Sequence, residues 1–162
     1  MLVAGTGFLH PGGVKLSLQV QYAICGVFDL AYNGRDEPVQ IRVISERQAI
    51  PARYLEQIFQ RLRRAHIVAS KRGPGGGYTL ARSPVEITLR DIVEAVEGPL
   101  GKALAMAAPE GGSSPLRPDF LWGDLAGRLG EVLEDITLDE VCREAARTDV
   151  ERAHPDAPMY FI

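Results

Sequence analysis

The chain has 162 residues, of which 46% are hydrophobic and 24% are charged, so it can bury the core of one ordinary domain. No apolar run approaches the roughly 18–20 residues of a membrane span, and the first residues lack the basic start of a secretory signal. Two cysteines, Cys25 and Cys142, are too few for a disulfide framework or a four-cysteine metal site. These features predict a cytoplasmic protein.

The net charge of −3 conceals an uneven distribution of charge along the chain. Residues 1–82 carry 11 Lys and Arg against 5 Asp and Glu, whereas residues 83–162 carry 7 against 16. Within the first half, residues 42–82 carry 9 basic side chains and 2 acidic ones. The contrast indicates that one half contacts a polyanion and the other half has a different task. Chance variation of surface charge is the alternative.

The first half of the chain predicts three helices after a glycine-rich lead over residues 1–14. Ser17 precedes apolar residues spaced by three and four, which predicts a helix capped by Ser17 and ended near Asn33. A short helix is expected over residues 41–48, and a third over residues 51–65, where the initial proline suits a helix start. Two short helices joined by a tight turn form a helix-turn-helix.

The third predicted helix has an apolar face and a polar face. The apolar face consists of Leu55, Ile58, Phe59 and Leu62. The solvent face carries Arg53, Gln57, Gln60, Arg61 and Arg64. Side chains of this type donate hydrogen bonds to phosphates and to the edges of bases.

Two short strands are predicted next, over residues 67–70 and 78–80, with a glycine-rich turn over residues 73–77. A hairpin directly after a helix-turn-helix is a wing. Three basic residues lie beside it, namely Lys71, Arg72 and Arg82. The glycines would let the tip approach a DNA backbone, with Arg72 reaching a phosphate or the minor groove. A tight hairpin without a ligand is the alternative.

Beyond residue 84 the pattern is helical again. Thr88 followed by Asp91 predicts a capped helix, after which residues 101–118 consist mainly of Gly, Ala, Ser and Pro. A longer helix is expected from about Asp119, and a last one opens at Thr137 with a second capping box. The longer helix carries a predicted apolar stripe of Leu121, Leu125, Leu129, Val132 and Ile136.

Three runs together carry a family resemblance: KLSLQVQYAICGVFDLA, ERQAIPARYLEQIFQRLRRAHIVASKRGPGGGYTLAR and EITLRDIVEAVEGPL. They resemble the IscR/NsrR/CymR family of bacterial winged-helix transcription regulators over about residues 15–100. The resemblance implies a mainly α fold with a small β-hairpin wing. It divides the chain into an N-terminal extension (1–14), a winged helix-turn-helix domain (15–100), a loop (101–118), dimerisation helices (119–150) and a flexible tail (151–162).

The resemblance also implies which residues bind DNA and which form a dimer. Residues 51–62 correspond to the recognition helix and residues 72–78 to the wing. The expected DNA-binding residues are Arg53, Tyr54, Gln57, Arg61, Arg64, Lys71, Arg72, Gly75 and Gly76. The expected dimer interface consists of Leu121, Trp122, Leu125, Leu129, Val132 and Ile136. Family members are homodimers whose recognition helices enter successive major grooves of a palindromic operator.

One departure from the family concerns the cofactor. Sensing members bind an iron–sulfur cluster through three cysteines in the loop at residues 101–118, but this loop has no cysteine or histidine, and Glu110 is its single acid. Because a cluster requires thiolate ligands, we expect no cofactor and no metal site. Cys25 and Cys142 are expected to be ordinary small buried residues, with a redox-active thiol as the alternative.

The sequence therefore predicts a sequence-specific DNA-binding transcription regulator, a homodimeric repressor and not an enzyme. The alternative is a protein-interaction adaptor that kept the fold and lost DNA binding. Family members tend to begin close to M-K-L-S, whereas this chain reads V-K-L-S from Val14. Residues 1–13 are accordingly either a start-site artefact or a real N-terminal arm.

Overall fold

The computed structural model describes residues 16–34, 37–104 and 114–153, so the predicted N-terminal extension lies outside the described residues. In chain order its elements are α1 (Leu18–Asn33), α2 (Ile41–Gln48), α3 (Ala52–Arg64), β1 (Val68–Lys71), β2 (Gly77–Leu80), a 3-10 turn (Pro84–Glu86), α4 (Leu89–Glu97), α5 (Leu100–Ala103), α6 (Phe120–Glu134) and α7 (Leu138–Arg147). The mainly α fold with a β-hairpin wing is confirmed. No helix within these ranges is both long and apolar enough to cross a bilayer.

The helix boundaries follow from local hydrogen bonds. The Ser17 hydroxyl accepts the backbone N–H of Val20 at 3.2 Å and so satisfies a donor at the start of α1. Thr88 and Asp91 form a capping box at the start of α4, as the sequence predicts. Ala49, with a φ of 52°, adopts the left-handed conformation that ends α2 and turns the chain toward α3.

The core of the first half of the chain forms where α3 crosses α1. Leu55, Ile58, Phe59 and Leu62 are all buried, as their spacing predicts. A Cβ atom at Gly26 of α1 would lie 2.6 Å from Cε2 of Phe59, so the small residue lets the two helices approach closely. Because the apolar face of α3 points into this core, its polar face is directed toward solvent.

The wing is a two-stranded antiparallel hairpin in which Val68 pairs with Leu80 and Lys71 pairs with Gly77. It is also joined to the linker before α2, since Val39 exchanges backbone hydrogen bonds of 2.9 and 2.8 Å with Tyr78. A Cβ atom on Gly77 would lie 2.5 Å from the Val39 carbonyl, which explains the glycine at this contact. Backbone hydrogen bonds therefore join β2 both to β1 and to the linker before α2.

A backbone bridge joins the start of α7 to the start of α4. The N–H of Leu89 donates to Ile136 O at 2.9 Å, and the N–H of Leu138 donates to Ile87 O at 2.8 Å. This bridge corrects one prediction: α6 ends at Glu134, so Ile136 lies beyond it and does not continue its apolar stripe. The physical reason is that Ile136 supplies its carbonyl to the bridge while Thr137 begins the next helix.

Two further boundaries differ from the sequence-based division of the chain. The loop predicted over residues 101–118 begins with the short helix α5, whose first residue, Leu100, is buried. The tail predicted to be flexible from residue 151 starts with a segment that is hydrogen-bonded to α1, because Ala153 N–H donates to the Asn33 side chain at 2.8 Å. Residues 105–113 and 154–162 lie outside the described residues.

Candidate nucleic-acid interface

The outward face of α3 is formed by four polar side chains. Residues of an α-helix are about 100° apart, so the positions opposite the buried face are Arg53, Gln57, Gln60 and Arg64. All four are exposed. Guanidinium and amide groups form paired hydrogen bonds with guanine and adenine edges, respectively. Gln60 was not among the expected DNA-binding residues, although it shares this exposed face with Arg53, Gln57 and Arg64.

Arg61 does not lie on this outward face, which argues against its expected role at the major groove. Its Nη1 donates to Gln19 Oε1 of α1 at 2.9 Å and to the Val96 carbonyl of α4 at 3.0 Å. Tyr54 lies on the same flank, with its ring 6.4 Å from the ring of Tyr22. The two side chains therefore attach α3 to its neighbours, although Tyr54 remains substantially exposed.

The other flank of α3 is joined to the wing. Nη1 of Arg63 donates to Ser70 Oγ in β1 at 3.1 Å. Arg63 has no sequence signal of its own, because it is a third arginine beside Arg61 and Arg64. This contact joins α3 to the wing, so that the two elements lie side by side.

The tip of the wing requires glycine. Gly75 has a φ of +70°, and a Cβ on Gly76 would lie 2.4 Å from the Lys71 carbonyl. Lys71 and Arg72 are exposed at the entry to the turn, as expected. Arg82 instead turns into the protein, where it donates to the carbonyls of His66 and Glu86 and forms a 3.0 Å ion pair with Asp91.

The predicted dimer residues on α6 do not share one direction. Ala126, Gly130 and Leu133 face the chain's own core, and Leu129 packs against it. Leu125 and Val132 are 41% and 58% exposed and form an apolar strip along the flank of the helix. Leu121 and Trp122 are half-buried. Nε1 of Trp122 is buried without a hydrogen-bond partner within the part of the chain that the structure describes.

The comparisons with known proteins agree with this geometry. The Rrf2 family, described as iron-dependent transcriptional regulators, matches residues 16–144. The chain belongs to the Rrf2 family. It is 39% identical over 133 residues to the HTH-type transcriptional regulator IscR of Vibrio atlanticus, a match that covers 81% of this chain and 76% of that protein. It is 40% identical to IscR of Photobacterium profundum, over 81% of this chain and 77% of the relative.

Solved structures give the same result for this Rrf2 protein. IscR of T. potens superimposes with a TM-score of 0.67 at 33% identity, covering 87% of this chain and 95% of its own. CymR, the global cysteine regulator of B. subtilis, superimposes with a TM-score of 0.65 at 30% identity, over 82% and 98% of the two chains. The chain is therefore a DNA-binding transcription regulator with a winged helix fold, and that part of the sequence-based expectation is confirmed.

The iron named in the Rrf2 description does not fit the donors of this chain. An iron–sulfur cluster is held mainly by thiolates, and the chain has two cysteines, Cys25 on α1 and Cys142 on α7. Burial and the nearby Asp139 carboxylate raise the pKa of the Cys142 thiol to about 12, and burial also raises the pKa of Cys25. Both thiols are therefore protonated near neutral pH. No group of three or more potential metal ligands occurs among the described residues.

Proposed function

We propose that this protein binds a palindromic operator as a homodimer and represses transcription from it. The observation that carries the proposal is the outward face of α3, where Arg53, Gln57, Gln60 and Arg64 are exposed beside a basic wing. An α-helix fits the major groove, and residues near the start of a recognition helix contact base edges. Arg53 and Gln57 accordingly read bases.

The phosphate contacts come from the periphery of the same surface. Arg64, Lys71 and Arg72 are exposed around the base-reading residues. Phosphate contacts position a protein on the duplex, while contacts to base edges specify the sequence. The flexible glycine turn at Gly75 and Gly76 brings the wing backbone close to the DNA, where Tyr54 borders the contact from the opposite flank.

The strip on α6 supports the homodimer. Leu125 and Val132 leave apolar surface exposed on a helix whose other side packs on its own core. A two-fold contact between identical helices covers both copies of the strip in one self-complementary interface. Paired heads then engage two half-sites about 34–36 Å apart, one turn of DNA. Loss of either head removes most of the affinity.

Selection of bound genomic DNA, followed by binding assays with variants, tests this function. Arg53→Ala and Gln57→Ala should each lower affinity for a selected operator by about 1–3 kcal/mol. Arg72→Ala should weaken binding to operator and unrelated DNA alike, since it contacts phosphate. Failure of the wild-type protein to select any fragment would refute the proposed operator binding and favour the adaptor alternative. Unchanged operator binding by both α3 variants would refute the assignment of the face.

We further propose that operator binding requires no iron–sulfur cluster. The presence of only two cysteines in the sequence, one on α1 and one on α7, and the loop composition support this proposal. Protein purified without oxygen should be colourless, should contain no stoichiometric iron or sulfide, and should bind the operator as tightly as protein purified in air. A visible charge-transfer band with about two irons per chain would contradict the proposal, because it would show a bound [2Fe–2S] cluster held by ligands other than those considered above.

A further inference from the structure

The chain reverses direction directly after α7. The N–H of Thr148 donates to Glu144 O, and the N–H of Val150 donates to Ala145 O, both at 3.0 Å. Between them, Asp149 has a φ of +58°, the left-handed conformation that terminates many helices. This turn directs residues 150–153, here called the strap, back onto the end of α1.

The strap contacts two buried residues of α1. The Tyr32 hydroxyl donates to the Val150 carbonyl at 2.9 Å, and the N–H of Ala153 donates to Asn33 Oδ1 at 2.8 Å. The guanidinium of Arg152 lies 4.4 Å from the centre of the Tyr32 ring, within the range of a cation–π contact. Two hydrogen bonds and one cation–π contact thus hold the strap against α1.

Asn33 connects the strap to a buried carboxylate. Its Nδ2 donates to Asp29 Oδ1 at 3.1 Å, and Asp29 is fully buried. The same carboxylate accepts a hydrogen bond from Gln48 at 2.9 Å and forms a 3.2 Å ion pair with Arg47. Both of these partners are on α2, the first helix of the helix-turn-helix. Asp29 is therefore shared between the strap side and the DNA-binding side of the molecule.

The position of α2 depends strongly on the Asp29 carboxylate, because this helix has few other attachments. The helix has eight residues, one of them, Ile44, fully buried, and its N-cap residue Gln40 makes no side-chain capping bond. Apart from Ile44 and the partly buried Ile41, α2 contributes little to the hydrophobic core, so polar contacts carry much of its attachment. A buried charge that loses a partner is costly, so a change at Asn33 acts on how firmly Asp29 holds Arg47 and Gln48.

We propose that the strap is a positioning element for the helix-turn-helix: its docking on Tyr32 and Asn33 fixes α2 through Asp29, and operator binding and strap docking stabilise each other. The strap lies beyond residues 16–144, which the family match covers. The mutual effect follows from linkage, since two events that favour the same conformation must strengthen each other equally. The proposal rests on operator binding by the same α3 surface.

Two truncations test the strap directly. A chain ending at Asp149 lacks the strap, whereas a chain ending at Ala153 keeps it and serves as the control. Without DNA, amide hydrogen exchange in α2 should be at least about fivefold faster in the shorter chain and unchanged in the control, while β1 and β2 exchange normally. Affinity for a selected operator should fall by a similar factor, and affinity for unrelated DNA should fall less.

A point variant and a reciprocal measurement cover the case in which the shorter chain unfolds. Tyr32→Phe removes one strap bond without touching Asp29, and it should accelerate exchange in α2 in the same direction by a smaller factor. In the wild-type protein, saturation with operator should slow exchange of the Ala153 amide, a change that a merely structural tail would not show. The proposal is overturned if exchange in α2 keeps its wild-type rate in both variants, or if saturation with operator does not slow exchange of the Ala153 amide. If the protein binds no DNA, the exchange rates without DNA still decide the role of the strap, and the proposed function alone fails.

Discussion

Helices α3 and α6 have similar apolar spacing in sequence and different surroundings in the structure. The four apolar side chains of α3 are all buried in the chain's own core, which leaves a purely polar outward face. In α6, small residues share the inward face, and two of the larger ones, Leu125 and Val132, remain exposed on its flank. Spacing thus identifies both helices, whereas only the surroundings of each helix show whether its apolar residues are covered within one chain.

The difference corresponds to the charges of the two regions. The half that contains α3 is basic and the half that contains α6 is acidic. A polyanion is attracted to the first and repelled by the second, so DNA is not the molecule that covers the α6 strip. The proposed two-fold contact brings two acidic regions together, so the apolar area that it buries must outweigh their repulsion.

The largest expected effect breaks the α6 side of this comparison. Replacing Leu125 and Val132 together by glutamate should abolish dimer mass in light scattering, since each buried side chain of this size contributes about 1.5–3 kcal/mol. Operator affinity should fall more than about 100-fold because the two heads no longer bind as one unit. Leu129 is not a suitable target, since it packs against the chain's own core.

The matched control for this variant is Ala146→Glu, which adds an acidic side chain at an exposed position of α7. It should leave both dimer mass and operator affinity unchanged. The paired-head mechanism fails if wild-type protein is already monomeric at micromolar concentration, or if the double glutamate variant keeps its dimer mass.

The elements of the fold were predictable because their signals are local. The Ser17 cap, the two Thr capping boxes, and the Gly and Pro residues at helix ends act within a few residues of each other. The pairing of Val39 with Tyr78 was not predictable, because it joins segments far apart in sequence through backbone atoms. The end of α6 was missed for a similar reason, since the bridge at Ile136 involves Leu89 of a distant helix.

The site was predictable in type and less so in detail. Periodicity places Arg53, Gln57 and Arg64 on one face, because the opposite face is apolar. Periodicity cannot separate Arg61 from these residues, although Arg61 lies to one side of their face and bonds to α1 and α4. The side chain of an arginine is long enough to reach either DNA or a neighbouring helix, so its partner depends on the packing of the helices.

A variant of Arg61 sharpens the comparison within α3 itself. Arg61→Ala should lower the free energy of unfolding by about 1–2 kcal/mol, since it removes two charge-assisted hydrogen bonds at a partly solvated site. Its effect on DNA binding should be the same for operator and unrelated sequences. Arg64→Ala, with the same loss of charge on the outward face, should leave stability unchanged in urea unfolding. A selective loss of operator affinity in Arg61→Ala would restore Arg61 to the base-reading residues.

The smallest expected effect concerns Glu140, at the N-terminus of α7 in the acidic region. The backbone N–H of Thr137 donates to its carboxylate at 2.9 Å and the Thr137 hydroxyl lies 3.2 Å away, and these bonds lower the pKa of Glu140 below its usual range. A carboxylate whose pKa is lowered by folding contributes stability above its unfolded pKa and loses that contribution as the pH falls through its folded pKa. Glu140→Gln should therefore have a slightly lower melting temperature than wild type at pH 7. The difference should disappear in acid, where the wild-type carboxyl is protonated as well.

Glu131→Gln, on the exposed side of α6, removes the same charge without disturbing a cap and should show no such pH-dependent difference. An offset for Glu140→Gln that is equal at every pH would mean that the bond from Thr137 does not depend on the charge, and that the α7 cap stabilises the acidic region through geometry alone.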